Sequence, residues 1–256
     1  ILGKRFTISN RLSFWKSVFM YPKFLNMERN FDTSLSVHYH LVGGGDVAFL
    51  KEIKPTIQAH FLRHPHYQIA KPAKVIAFSS PKIKVLIAGQ YNLYMQQDAD
   101  TMIDCLIKNK KLLELKEHYI YTFLGKGWER HVASLNDAGY EAHHIKFAPD
   151  YIEEVCKHDI QITPICIGTG TKGKVLDAIA NGLLVIGSWY ALENIAVKHL
   201  ESCIEYGKAK EFIKILKDIP VRRNYYENIA LNGKKSILEL HNQKLISEHL
   251  FRFMKE

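Results

Sequence analysis

Ile160-Gln161-Ile162-Thr163-Pro164-Ile165-Cys166-Ile167-Gly168-Thr169-Gly170-Thr171-Lys172-Gly173-Lys174-Val175-Leu176-Asp177-Ala178-Ile179-Ala180-Asn181-Gly182-Leu183-Leu184-Val185-Ile186 is the stretch whose reading decides the fold. Residues 160–167 form a nearly continuous apolar run, the pattern of a strand covered on both faces. Small residues follow at 168–173. Residues 173–180 then show helical spacing and stop at Asn181-Gly182, a helix C-terminus signal. Residues 183–186 are a second buried strand. Strand, glycine-rich turn, helix and strand make one βαβ unit.

The same rhythm extends outward. Apolar runs at 84–89, 119–124, 142–147 and 203–206 read as further strands. Helical spacing falls at 98–115, 128–138 and 208–219, and Asp150 is placed to cap a helix running to about residue 157. An α/β fold is expected, with a Rossmann-like parallel sheet of about six strands and helices on both faces. In such a sheet, ligands sit beyond the carboxyl ends of the strands. Residues 1–80 do not keep this rhythm. They suggest a helix at 14–24 interrupted at Pro22, a strand at 34–41, a loop at 43–45, a short helix at 47–53 and a strand at 58–62. A Pro72- and Pro81-containing connector follows. Residues 221–256 read as one helical tail with an apolar stripe of Ile237, Leu240, Leu245, Ile246, Leu250 and Phe253.

The 256 residues carry a formal net charge of +9, with 47% hydrophobic and 24% charged residues. That is globular rather than disordered composition. The charge favours an anionic partner: nucleic acid, a membrane surface or a phosphorylated small molecule. No clustered basic and aromatic strand motif of a single-strand binder accompanies it. Cys105, Cys156, Cys166 and Cys203 form no CxxC pair, so reduced thiols are expected rather than a disulfide frame or a zinc site. The paired histidines at 38/40, 64/66 and 143/144 lack helical metal spacing, and no metal site is expected. No run reaches the ~18 apolar residues of a membrane span. Opening on Ile1 rather than Met, the sequence is expected to be preceded by further residues.

The turn at 168–173 has the chemistry of a phosphate site. Small residues let the backbone approach a ligand, unpaired N–H groups open the helix, and Lys172 and Lys174 add positive charge. Three patterns fit it. Gly168-x-Gly170-x-x-Gly173 spells a dinucleotide fingerprint, but it follows the fourth strand of the unit rather than the first. Gly168-x4-Gly173-Lys174 spells a phosphate-binding P-loop, except that Val175 replaces the Ser or Thr that would hold Mg²⁺. The third pattern is longer. Gly168-Thr-Gly-Thr-Lys-Gly-Lys-Val-Leu-Asp-Ala-Ile-Ala-Asn-Gly182, followed by an apolar strand, resembles the Gly-(Ser/Gly)-Gly-Thr-Arg-x-Lys-x-Leu-Glu-Ala-Met-Ala-x-Gly segment of retaining GT-B glycosyltransferases of group 1. The resemblance covers roughly residues 82–219, and His64-Pro65-His66-Tyr67 is similar to the segment by which such enzymes leave their N-terminal domain.

The resemblance implies roles. Lys172 and Lys174 would stabilise charge on the departing nucleoside diphosphate, as the catalytic cations. Gly89, Lys126, Gly168, Thr169, Gly170 and Thr171 would border the donor, and Asp177 would accept ribose hydroxyls. Asp177 is one methylene shorter than the family's Glu, and Thr169 stands where many members carry a second Glu against the donor sugar. Phe147-Ala148-Pro149 would read the nucleobase edge. The implied activity is transfer of a sugar from a nucleotide-diphosphate sugar to a saccharide or lipid-linked acceptor, with no cofactor and no metal. The alternative is a non-catalytic nucleotide-binding module of the same fold. The implied division is 1–80, an acceptor-side remnant and connector; 81–220, the nucleotide-sugar domain; and 221–256, the helical tail. A cytoplasmic protein is expected, at the inner face of a membrane if the basic, aromatic tail touches lipid; the competing reading packs that tail across the domain pair. Nucleic acid is not expected as a partner.

Overall fold

A computed structural model of the protein describes residues 8–108, 115–168, 170–208 and 210–252, with side chains from residue 14. In chain order the elements are α1 (Ile8–Arg29), β1 (Tyr39–Leu41), α2 (Gly44–Ile53), β2 (Ala59–Phe61), β3 (Ile83–Ala88), α3 (Gln96–Lys108), α4 (Leu115–His118), β4 (Tyr119–Leu124), α5 (Glu129–Asp137), β5 (Glu141–Ile145), α6 (Tyr151–Cys156), β6 (Ile160–Thr163), α7 (Gly173–Ala180), β7 (Leu184–Ser188), α8 (Trp189–Leu192), β8 (Ile204–Tyr206), α9 (Phe212–Asp218), α10 (Arg223–Leu240) and α11 (Gln243–Arg252).

Strands β3 to β8 form one six-stranded sheet in the order β5-β4-β3-β6-β7-β8, every pair parallel. Numbered within the sheet this is 3-2-1-4-5-6, the doubly wound order. Alternation along each strand fills two apolar layers. Ile83, Val85 and Ile87 of β3 pack with α3, α5 and α9 on one face, while Leu86 and Ala88 pack with α7 on the other. The nearly continuous apolar strands of the sequence follow from this double cover. Strands β1 and β2 pair in parallel in a separate small sheet, covered by Val47 and Leu50 of α2.

Several elements differ from their sequence-based expectation. Helix α1 continues through Pro22. Proline there removes one amide bond, and the carbonyl it would have served lies at half-exposed Val18, where water can serve it. The strand expected at 34–41 is confined to Tyr39–Leu41 because β2, its partner, is itself only three residues long. Strand β6 stops at Thr163 because Pro164 offers no N–H to continue the ladder. Helix α3 ends at Lys108; the expected continuation through Leu112 and Leu113 lies outside the described residues. The helix expected at 208–219 begins only at Phe212, where its apolar face reaches the core. The tail is two helices rather than one. It breaks at His241, and the Asn242 side chain accepts the Lys244 and Leu245 amides to start α11. The stripe is therefore not continuous: Ile237 is buried, Leu240 and Leu245 are exposed, and Phe253 lies outside the described residues.

The break has a structural use. A strap from His64 to Ala70 joins the small sheet to the large one and lies across α7 and the α10–α11 corner. His241 is fully buried; its Nε2 accepts the Ala196 N–H at 3.0 Å, so its Nδ1 carries the proton given to the His64 carbonyl at 2.6 Å. The His241 carbonyl accepts the His66 amide, and Gln243 donates to the carbonyls of His66 and Tyr67. From α7, Asp177 accepts the Tyr67 amide at 2.8 Å, while Asn181 accepts the Ala70 amide and donates to the Gln68 carbonyl.

Burial lowers the pKa of His158 and of His241, and Arg63, His64 and His66 add like charge around the latter. Both rings are held neutral, so the stability they contribute is present above the ordinary value of 6.5 and is lost as pH falls through it toward the depressed folded values. Protonated His241 would also set a donor against the Ala196 N–H. The free energy of urea unfolding is expected to fall between about pH 7.5 and about pH 5.5, and less steeply in His241→Gln. A second test concerns α10, where a Cβ on Gly233 would lie 2.4 Å from the Ser202 carbonyl oxygen. Alanine gains about 1 kcal/mol in helix propensity but overpacks a backbone contact costing about 1–3 kcal/mol. Gly233→Ala should therefore lower the denaturant midpoint.

Candidate functional site

The reversal of strand order between β3 and β6 opens a crevice at the carboxyl edge, because the chain leaves these two neighbouring strands toward opposite sides. Three loops meet there. The loop after β3 begins at Gly89, and its Tyr91 amide donates to the Lys126 carbonyl of the loop after β4 at 2.9 Å. The Cys166 amide, after β6, donates to the Tyr94 carbonyl at 2.8 Å, and the Tyr94 ring lies over Gly168. The expected neighbours Gly89, Lys126 and Gly168 are thus brought to one crevice. The loops after β3 and β4 approach too closely for a side chain at Gly125: a Cβ there, at φ +134°, would fall 2.4 Å from the Gly89 carbonyl oxygen.

A polar group behind the crevice fixes the first loop. Trp128 is buried and donates from Nε1 to the Gly89 carbonyl at 2.8 Å. Asp100 takes the Tyr91 hydroxyl at 2.8 Å and binds His131 Nε2 at 2.9 Å. Burial and the Asp100 carboxylate both push the Tyr91 phenol well above its usual range, so it stays a hydrogen-bond donor. Apart from Gly89, these residues were given no role from the sequence, since they gather from α3, α5 and two loops with no common spacing.

The glycine turn leads straight into α7. Gly168 and Gly170 have φ of +121° and +76°, the region that disfavours a Cβ. Added Cβ atoms at Gly170 and Gly173 would meet nothing within 4 Å, so this face of the turn is open. Lys172 is the N-cap residue, and the amides of Val175 and Leu176 bond to its carbonyl. Its ammonium folds over the turn to the Gly170 carbonyl. Burial lowers the pKa of Lys172, opposed by the carboxylates of Glu193 and Asp46. Thr171 is not turned to the open face; its hydroxyl donates to the Val42 carbonyl at 2.9 Å, tying the turn to the small sheet. Lys174 is exposed, with its ammonium over the Tyr151 ring at 5.2 Å. Thr169 lies outside the described residues.

Asp177 sits one turn into α7, buried, and holds the strap through Tyr67. Burial raises its pKa, and the Tyr67 amide and nearby His66 and His64 work against that rise. Phe147 is exposed beyond β5 at the same sheet edge. Two further residues were assigned no place at the site from the sequence. Glu193 and Asn194 follow α8, and the Asn194 side-chain Oδ1 accepts the Gly44 amide at the start of α2 at 2.9 Å. Among the described residues no group of three His, Cys, Asp or Glu has the geometry of a metal site, and all four cysteines are free thiols. No described helix is long and apolar enough to cross a membrane.

No family model matches the sequence, and no curated protein matches it. Solved structures do. HepE of Anabaena in complex with UDP superposes with a TM-score of 0.71 at 11% identity over 90% of this chain and 66% of that one. Sucrose-phosphate synthase of Thermosynechococcus elongatus superposes at 0.65 with 12% identity, over 84% and 57% of the two chains. WaaG, a glycosyltransferase of lipopolysaccharide biosynthesis, superposes at 0.69 with 13% identity, over 98% and 73%. These neighbours are GT-B glycosyltransferases, and the chain has their fold. It spans just under two thirds of the HepE chain.

The packing of the three loops yields a ranking. Gly125→Ala combines left-handed strain with a backbone clash and should cost more than about 2 kcal/mol. Gly170→Ala meets open space and should cost about 1–2 kcal/mol of strain alone. Urea melts of the two variants check the order.

Proposed function

We propose that the protein binds a nucleotide-diphosphate sugar in this crevice and transfers the sugar to a second molecule. The observation that carries the reading is the open backbone at Gly170 and Gly173, set at the start of α7 and at the strand-order switch of the sheet. A helix start presents amides without carbonyl partners and about half a positive charge, which suits a diphosphate. HepE, whose fold this chain shares, has been crystallised with UDP and with UDP-glucose, which supports a nucleotide sugar as the ligand class.

Each residue then has a task. Departure of a nucleoside diphosphate builds negative charge on its bridging oxygen. Amides of the turn and the ammonium groups of Lys172 and Lys174 receive that charge, and one well-placed donor contributes about 3–4 kcal/mol to the transition state. Lys172 exchanges the Gly170 carbonyl for a phosphate oxygen. Gly89, Gly168 and Gly170 keep the backbone close to the ligand, with Lys126 at the rim. Thr171 holds the turn to Val42 rather than touching the diphosphate. A carboxylate has about four acceptor positions, so Asp177 can keep Tyr67 and still accept a ribose hydroxyl. Positive charge from the chain itself fits metal-independent, retaining chemistry of the kind the sequence resemblance implies. Residues up to the strap supply part of an acceptor-side domain, and the acceptor is a saccharide or a lipid-linked saccharide.

Thermal denaturation with UDP, GDP, ADP and dTDP tests the reading. At a hundredfold excess over Kd, the matching diphosphate should stabilise the protein by about 2.7 kcal/mol. Lys172→Ala should weaken that ligand tenfold or more. Absence of a shift with all four would overturn the proposal. Release of nucleoside diphosphate from the matching nucleotide sugar distinguishes a transferase from a binding module.

A further inference from the structure

Seven of the 13 histidines gather where the small sheet, the strap and the C-terminal helices meet. His38 precedes β1, His40 lies on β1, and His60 lies on β2 in register with His40. His38 Nδ1 and His60 Nε2 are 3.1 Å apart, and the His60 ring stacks on those of His38 and His40 at 5.2 and 5.4 Å. His249 of α11 acts electrostatically on His40 and His60, and Lys51 of α2 acts on His60. The same two pieces of chain carry the rest of the group: β2 runs into the strap, and α11 follows His241. There Arg63 and the strap residues His64 and His66 act on His241.

The contacts require neutral rings. A hydrogen bond between two imidazoles needs one N–H and one lone pair, so protonated rings at 38 and 60 would set N–H against N–H. His241 accepts the Ala196 amide through Nε2 and donates through Nδ1, so a second proton breaks the first bond. His66 Nδ1 is buried without a partner, and a proton there meets no acceptor. Burial lowers the pKa of His40, His60, His66 and His241, and the neighbouring cations lower it further at His40, His60 and His241. Asp177 opposes this at His66, and the His64 carbonyl opposes it at His241. Glu248, next to His249 on α11, lies 3.9 Å from the Lys244 ammonium.

We propose that this junction is a proton-operated hinge: it is closed while its imidazoles are neutral, and in mild acid it loosens the small sheet and α11 from the large sheet. The elements on the two sides differ in what else holds them. The large sheet has an apolar layer on each face. The small sheet is built on Val47, Leu50, Ile57 and Ala59, and α11 has no buried residue. Opening returns the rings to their ordinary pKa of 6.5, so the open form binds more protons and gains population as pH falls through that value. Each proton taken up shifts the equilibrium by up to about tenfold per pH unit. The hinge stands whether or not the crevice takes a nucleotide sugar.

Hydrogen exchange of the full chain, read by mass spectrometry at about pH 8 and about pH 5.5 and corrected for the intrinsic pH dependence of exchange, tests it. On acidification, protection of the amides at 39–41, 59–61 and 243–252 should fall at least about tenfold further than that of β3 and β4. In the His60→Gln/His241→Gln double variant that excess loss should shrink to about twofold or less. His249→Gln, at an exposed position, covers the case of a double variant that does not fold, and should at least halve the excess. Equal loss across the small and large sheets of the parent would be global unfolding and overturns the hinge. Unchanged protection in the parent overturns it too, as does the parent's full excess in a folded variant.

Discussion

A parallel sheet sends every strand out through the same edge, and strand-order reversal forces two of those exits apart. In this chain the reversal lies between β3 and β6, and everything at the candidate site is arranged around it. The Gly89 loop leaves one strand and the Gly168–Lys172 turn leaves the other. The backbone contacts that join them, Tyr91 to Lys126 and Cys166 to Tyr94, are bonds between loops that have no ladder partner of their own. Glycine at 89, 125 and 168 is the consequence of packing these exits against one another, not a signature written in advance of the fold.

Charge is handled differently at the two ends of the crevice system. At the turn, Lys172 is partly buried and lies under the influence of Glu193 and Asp46, so positive charge is retained where burial alone would discourage it. Along α7, Asp177 is kept in a low-dielectric position by a single amide from the strap. Beyond α8 the carboxylates dominate. The net charge of +9 by itself does not choose among anionic partners.

The small sheet and the large one are joined by directional bonds rather than by a wide apolar surface. Thr171 meets Val42, Asn194 meets Gly44, and the strap is bonded through Asp177, Asn181, His241 and Gln243. Hydrogen bonds of this kind contribute about 1 kcal/mol each but leave costly unpaired groups when broken. Two residues of the glycine-turn segment, Thr171 and Asp177, therefore serve the connection between the sheets.

Periodicity alone determined the large unit. Double-sided burial writes itself into a strand as an unbroken apolar run and into a helix as a 3.6-residue stripe, and both are local signals; α7 was read to its end residues and the parallel sheet to its strand count. The segment from Gly168 to Gly182 was legible on other grounds: a tight turn at a helix start needs small residues, and the run resembles a known family motif. What the sequence did not carry was the pairing of distant polar groups. Asn181 with the strap, His241 with Ala196 and His64, Trp128 with Gly89, Asp100 with His131, and Asn194 with Gly44 are joined across 31 to 177 positions with no repeating interval. Only the folded chain decides which of its many polar side chains meet, because hydrogen bonds are satisfied by position in space and spacing along the chain does not encode it.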